Sequence, residues 1–353
     1  MTKGILNKRS SNIRVGIISY PMLFQRQGGL QTRIMDTVAA MSQFQVEPKI
    51  LNPVEDSLSD FDIIHIFSVI NGNYRLVQEA KSQNRPVVLS PLIQPDTTKY
   101  QFLKYKISSF ITSFLTKNAI NTTYDQVKIA LSNSDAIIAL SNNEFYIISE
   151  LYKEKAEKIS IIKNGVSKVF LSANPKLFLD SYGITAPFAF VSGTISDYKN
   201  QLGVVEATQD DQWPIVLAGR VDNTDYLERC QSLGGGRVNY LGEIEARSPM
   251  LASIYANAGV TVLISRGETF GLAAVESLAA GTPVVITKNS GLEIPEKRPC
   301  LAYVDPRKSG EVREAIREAI ENMPQPEECR ALVNGLGWDS IGFQIAEIYK
   351  RLL

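Results

Sequence analysis

Glu268 and Glu276 stand eight residues apart in SRGETFGLAAVESLAAGTPVV (265–285), with Arg266 beside the first. The motif starts as a Gly-containing turn after a β-branched run. It continues as an amphipathic helix from about Leu272 into a buried strand. Carboxylates accept paired hydrogen bonds from vicinal hydroxyls, as acidic side chains do with ribose in dinucleotide folds. A sugar nucleotide therefore suits two acids placed here, with the backbone amides of Phe270, Gly271 and Leu272 turned toward an anion at the helix N-terminus. The competing assignment has Glu268 capping the helix and Glu276 facing solvent. Spacing alone leaves both open.

Two further stretches carry candidate chemistry. SYPMLFQRQGGLQTR (19–33) places Gly28 and Gly29 just before a helical pattern. Glycines let backbone amides approach a phosphate there, although a plain turn fits equally well. FVSGTISDYKNQLGVVEA (190–207) puts Lys199 between a strand and a helical run. That ammonium can hold a diphosphate through charge-assisted hydrogen bonds, or simply be solvated. The single histidine, His65, lies inside the strand-like DIIHIFS and reads as a packed or hydrogen-bonded core side chain rather than a catalytic one. One histidine excludes a His-based metal cluster. Asp210 and Asp211 read as a polar loop, and no metal site is expected.

The elements that must position these residues follow from periodicity. Short, near-continuously apolar runs at 14–20, 62–68, 86–90, 135–140 and 159–165 alternate with helical patterns at 30–41, 74–83 and 143–153. A second series of runs follows at 188–193, 214–219, 238–242, 260–265, 282–287 and 301–305. Alternating strands and helices imply parallel α/β sheets with right-handed crossovers. The expected organisation is a Rossmann-like domain over 1–170, a second over 171–336, and a helix over 337–353 with Ile341, Ile345, Ile348 and Leu352 on one face. Ligands in such sheets bind beyond the carboxyl ends of the strands, where the candidate residues lie.

Composition narrows the class. The chain has 353 residues, with 37 basic and 37 acidic side chains, so no charge excess points to nucleic acid. Three irregularly spaced cysteines fit a reducing compartment. The first residues lack a long apolar core of a signal peptide, and no apolar window approaches a membrane span, so a cytoplasmic protein is expected, soluble or peripheral at the inner membrane face. YQFLKYKISSFITSFLTKNAI (100–120) has helical apolar spacing with lysines around it. It reads either as an amphipathic helix on an anionic membrane or as a helix packed on the first domain. Its Ser/Thr-rich polar face favours the packed reading.

SRGETFGLAAVESLAAGTPVV resembles the E-x7-E signature of the family-4 retaining glycosyltransferases, which have the GT-B fold of two Rossmann-like domains facing across a cleft. SDAIIALSNNE with KISIIKNGV resembles the last strands of that family's first domain. KNQLGVVEA is similar to its phosphate loop, and GWDSIGFQIAEIYKRLL to its final helix, which crosses back to the first domain. The resemblance implies that Glu276 binds ribose hydroxyls and Glu268 the donor sugar. It gives Phe270, Gly271 and Leu272 backbone amides to the donor, Lys199 the diphosphate, and Gly28 and Gly29 the closing face from the other domain. No metal or other cofactor is then needed, because Lys199 and the helix dipoles supply the positive charge. The implied partners are a nucleotide diphosphate-sugar and a glycan or lipid-linked acceptor.

The chain departs from the family pattern in two places. Thr194 stands where an Arg is usual before the phosphate-loop Lys, leaving Arg220 or Arg266 to replace it. The family's donor-contacting His after the fourth strand is absent from PVVLSPLIQPD, whose Ser90 and Gln94 become acceptor-side candidates. These departures motivate an alternative, a sugar-nucleotide-binding partner subunit without turnover.

Overall fold

A computed structural model describes residues 12–25, 28–93, 99–117, 119–184 and 187–353. Among these residues, twelve strands form two all-parallel sheets. The first contains β1 (Ile13–Ile18), β2 (Val46–Ile50), β3 (Ile63–Phe67), β4 (Val87–Ser90), β5 (Ala136–Ala139) and β6 (Ile159–Ile161), in the order β2-β1-β3-β4-β5-β6. The second contains β7 (Ala189–Ser192), β8 (Ile215–Ala218), β9 (Val238–Tyr240), β10 (Val260–Leu263), β11 (Val284–Thr287) and β12 (Leu301–Val304), in the order β12-β11-β10-β7-β8-β9. Each strand is short because both faces are covered, so length is limited by the helices above and below. In β3 the side chains alternate, with Ile64 and Ile66 in one core and Ile63 and Phe67 in the other. The second domain sorts Ala189 and Val191 from Phe188 and Phe190 in the same way.

Strand order fixes where a ligand can sit. In the second sheet the chain moves outward from β7 through β9, then returns to the other side of β7 with β10. The loops after β7 and β10 therefore part in opposite directions and leave a crevice at their carboxyl ends. The first sheet reverses between β1 and β3, so the loop holding Gly28 and Gly29 leaves its own switch point.

The last helix, Trp338–Leu352, returns to the first domain. Ile341, Ile345, Ile348 and Tyr349 pack with Val15, Ile17 and Ile34 under the first sheet. Tyr349 places its hydroxyl 2.6 Å from Nδ1 of His65, whose Nε2 lies 2.9 Å from Ser90 Oγ. His65 is fully buried and stacked on Phe67 at 4.2 Å, and burial pushes its pKa well below the ordinary value. The neutral ring is thus a polar rivet between β3, β4 and the last helix.

Three local readings change. Strand β2 has no counterpart among the apolar runs, because it is an edge strand with Pro48 inside and exposed positions alternating. The pattern at 143–153 is not one helix: a short helix, Asn142–Tyr146, widens into a π turn over Ile147–Leu151. The helix Lys99–Thr116 does not pack its apolar line on the domain. Its only buried side chains are Phe102 and Ser109, and Phe110 and Phe114 are 74% and 78% exposed.

Tyr349→Phe removes one of the two partners of a buried imidazole. Loss of that hydrogen bond is expected to destabilise the protein by about 1–3 kcal/mol, read as a lower urea midpoint at unchanged slope.

Candidate active site

The turn after β10 is fixed before any ligand arrives. Tyr198 Oη donates to the Gly267 carbonyl (2.8 Å) and Asn289 Nδ2 to the Arg266 carbonyl (2.8 Å). The Glu268 amide donates to the Asn289 carbonyl at 3.0 Å, and its carbonyl accepts from Gly291 N at 2.8 Å. Glu268 is held by its backbone, which frees its side chain to face the crevice. There Oε1 accepts from Lys199 Nζ at 2.6 Å and from Ser265 Oγ at 2.5 Å. The side chains are 28% and 13% exposed for Lys199 and Glu268, so the pair is shielded yet reachable. Glu268 is therefore occupied by a cation rather than capping the following helix.

That helix, Leu272–Ala280, starts from Gly271 in the left-handed region at φ 83°, a conformation that favours glycine. Its first residues, Leu272 and Ala273, line a cavity of about 380 Å³ between the domains. Phe270, Gly271, Leu272, Glu276, Glu268, Lys199, Thr194 and Arg220 all line it from the second domain. Room is made by close backbone contact: a Cβ on Gly219, at φ 149°, would fall 2.1 Å from the Gly193 carbonyl oxygen.

Glu276 sits in a different electrostatic setting from Glu268. Burial, reinforced by the negative charge of Asp36, pushes its pKa up to about 7, while Tyr255 Oη donates to its Oε2 at 3.2 Å. Tyr255 is itself fully buried against Phe170 and Phe190. One carboxylate oxygen is thus anchored, and the residue remains on the cavity wall.

The first domain meets this wall directly. Gly28 and Gly29 line the cavity, and a Cβ on Gly29 would touch Leu272 Cδ1 at 3.4 Å. Arg247 Nη1 donates to Asp36 Oδ1 at 2.5 Å across the cleft, and Asn142 Nδ2 donates to Glu293 Oε2 at 2.6 Å on its other side. Two of the sequence candidates are placed elsewhere. Arg266 is largely exposed, paired with exposed Asp197, and does not line the cavity, so of the two candidate arginines Arg220 is the one at the cleft. Ser90 is fully buried between His65 and Arg33 and does not line the cavity. Gln94 lies outside the described residues.

Residues not singled out from the sequence complete the wall. Arg33 is 5% exposed, 5.4 Å from the Phe67 ring centroid, and burial brings its pKa down to about 10. Its neighbour Glu144 is held by the Leu140 and Ile93 amides, each at 2.7 Å. Asn164 also lines the cavity while 97% buried, with relative exposure of 3%. Arg33 and Asp36 lie three apart on a helix that also carries Gln31, Thr32 and Thr37, so their spacing alone did not mark the first domain's contribution.

Comparison with known proteins bears on the fold and on the second domain. The protein HepE of Anabaena, solved in complex with UDP, superposes with a TM-score of 0.70 at 17% identity, covering 96% of this chain and 100% of that one. The fold is GT-B. Sucrose-phosphate synthase of Thermosynechococcus elongatus shares it, with a TM-score of 0.72 at 18% identity over 96% and 99% of the two chains. Residues 181–333, the second GT-B domain, match the family described as glycosyl transferases, group 1. An uncharacterized glycosyltransferase of Methanocaldococcus jannaschii is 26% identical over 237 residues, or 61% of this chain and 59% of the relative's length. The group 1 match is confined to the second domain, and the chain spans about three-fifths of this relative's length.

Glu276 gives a test independent of activity. Its folded pKa of about 7 lies above its ordinary 4.5, so stability from its protonated form is complete below the lower value and lost as pH rises through the upper. Glu276→Gln, isosteric with the protonated acid, is expected to raise stability by about 1–3 kcal/mol near pH 8 and to change it little near pH 4. Denaturant titrations at the two pH values check this.

Proposed function

We propose that the protein is a retaining glycosyltransferase that moves a sugar from a nucleotide diphosphate-sugar to an acceptor hydroxyl. The observation that carries this reading is the Lys199–Glu268 pair at the second domain's switch point, beside the amides of Gly271 and Leu272. In this reading the ribose diol donates to Glu276 and the diphosphate lies between Lys199, Arg220 and the helix N-terminus. Gly28 and Gly29 close over it. Glu268 accepts hydroxyls of the donor sugar. As the anomeric C–O bond breaks, negative charge grows on the departing phosphate oxygen, where Lys199 and the helix amides stabilise it. The acceptor oxygen bonds to the anomeric carbon on the same face, and its proton passes to the departing phosphate. No covalent nucleophile and no metal are invoked.

The acceptor is proposed to be a growing glycan or lipid-linked oligosaccharide of bacterial cell-surface synthesis, met at the cytoplasmic side of a membrane. UDP, held by HepE, is the first nucleotide to try. A second reading, a nucleotide-sugar-binding subunit without turnover, draws on Thr194 at the cavity and on the burial of the only histidine away from it.

The ion pair makes the two catalytic candidates separable. Lys199→Ala is expected to lower transfer by about 10²–10³-fold and to weaken nucleoside diphosphate binding. Glu268→Gln should lower transfer comparably yet bind nucleoside diphosphate at least as tightly as the wild type, because Lys199 loses its competing carboxylate. Wild-type transfer by both variants would overturn the assignment. Binding by the wild type with no transfer to any of a broad acceptor panel would favour the subunit reading.

A further inference from the structure

The helix Lys99–Thr116 is amphipathic in the wrong sense for a packed element. At about 100° per residue, Leu103, Ile107, Phe110 and Phe114 project within roughly 60° of one another, with Tyr100 and Ile111 at their edge. Every one of these six is more than half exposed, from 51% for Ile107 and Ile111 to 78% for Phe114. Phe102 and Ser109, the buried pair, lie about 140° away around the helix. Phe102 packs edge-on to Tyr124 and Tyr152, and Ser109 Oγ donates to Asp125 Oδ1 at 2.5 Å. A narrow, partly polar seam thus fastens the helix, and its apolar face points out.

Charge says what covers that face. Residues 99–117 contain four lysines and no carboxylate. Lys99 and Lys106 flank the apolar face on one side and Lys104 on the other, and Lys117 follows the helix end, within reach of a surface the aromatic rings enter. Lys104 Nζ lies 4.5 Å from the Tyr100 ring centroid, so its ammonium stays at the boundary of the apolar face. Two copies meeting face to face would oppose eight lysines without a counter-charge, which argues against self-association. Among the described residues no helix is long and apolar enough to cross a membrane. A helix of this length with aromatic and aliphatic residues on one face and lysines at both edges suits the plane of a bilayer interface.

We propose that Lys99–Thr116 is a docking surface for an anionic lipid bilayer, seating Leu103, Ile107, Phe110 and Phe114 among acyl chains and the lysines among lipid phosphates. This surface lies on the first GT-B domain, and its function does not depend on the identity of the donor.

The full chain is tested by co-sedimentation with vesicles of phosphatidylglycerol and phosphatidylcholine in equal parts, and with phosphatidylcholine alone. The expected result is sedimentation with the anionic vesicles, weakened by added salt and much reduced with the neutral ones. Phe110→Ser with Phe114→Ser should weaken binding by about ten-fold or more, at an unchanged melting temperature because both rings are exposed. Lys104→Glu with Lys106→Glu should remove the preference for anionic lipid. Wild-type protein left in the supernatant with both lipids would overturn the proposal, as would undiminished sedimentation of the Phe110/Phe114 variant. A dimer in solution that the Phe110/Phe114 substitution splits, with no vesicle binding, would assign the face to a second copy instead. These readouts contain no nucleotide-sugar, so their failure would leave the glycosyl-transfer reading standing.

Discussion

A lysine ammonium held 2.6 Å from a carboxylate, in the crevice where the second sheet reverses direction, is the contact around which the site is arranged. Partly buried, each charge would be costly alone; together they keep a cation ready at the mouth of a helix N-terminus. The backbone bonds of Gly267, Glu268 and Gly291 fix the carboxylate's origin, and Ser265 fixes its direction. In the proposed reaction a diphosphate entering the crevice would exchange one anionic partner of Lys199 for another. The ammonium would then never be left uncompensated, and Glu268 would be released toward the sugar.

The second constraint is that both walls must stay in register. The final helix, the His65–Tyr349 contact and the Arg247–Asp36 pair tie the domains on different sides of the cavity. Asp36 also bears on Glu276, whose pKa it helps to raise. Domain contact and the charge state of the proposed ribose acid are thus linked through one carboxylate on the first domain. A cost in apo stability at Glu276 is consistent with a residue kept for a ligand's hydroxyls rather than for packing.

Most of the architecture could be read from the sequence because parallel strands covered on both faces are nearly continuous apolar runs. Edge strand β2 escaped because Pro48 and its exposed positions erase that signal. Glu268, Lys199, Gly271 and Glu276 were legible as residues following strands, and the structure brings them to one cavity. The opposite outcomes for Arg220 and Arg266 were not legible, since which way a loop arginine points depends on turn geometry. Arg33 and Asp36 were hidden in a helix whose buried face only tertiary packing defines. For residues 100–120 the periodicity was right and the inferred direction wrong: a pattern of apolar spacing states that a face exists, not what it faces.

The central claim is that the crevice beside Lys199 and Glu276 holds a nucleoside diphosphate. The most direct measurement is a thermal-shift titration of the intact chain with UDP, GDP and ADP, since a ligand bound only by the folded state raises the melting temperature by mass action. The account predicts a saturable rise with at least one of the three that is reduced in Lys199→Ala. No rise with any of them, or a rise of equal size in Lys199→Ala, would contradict it.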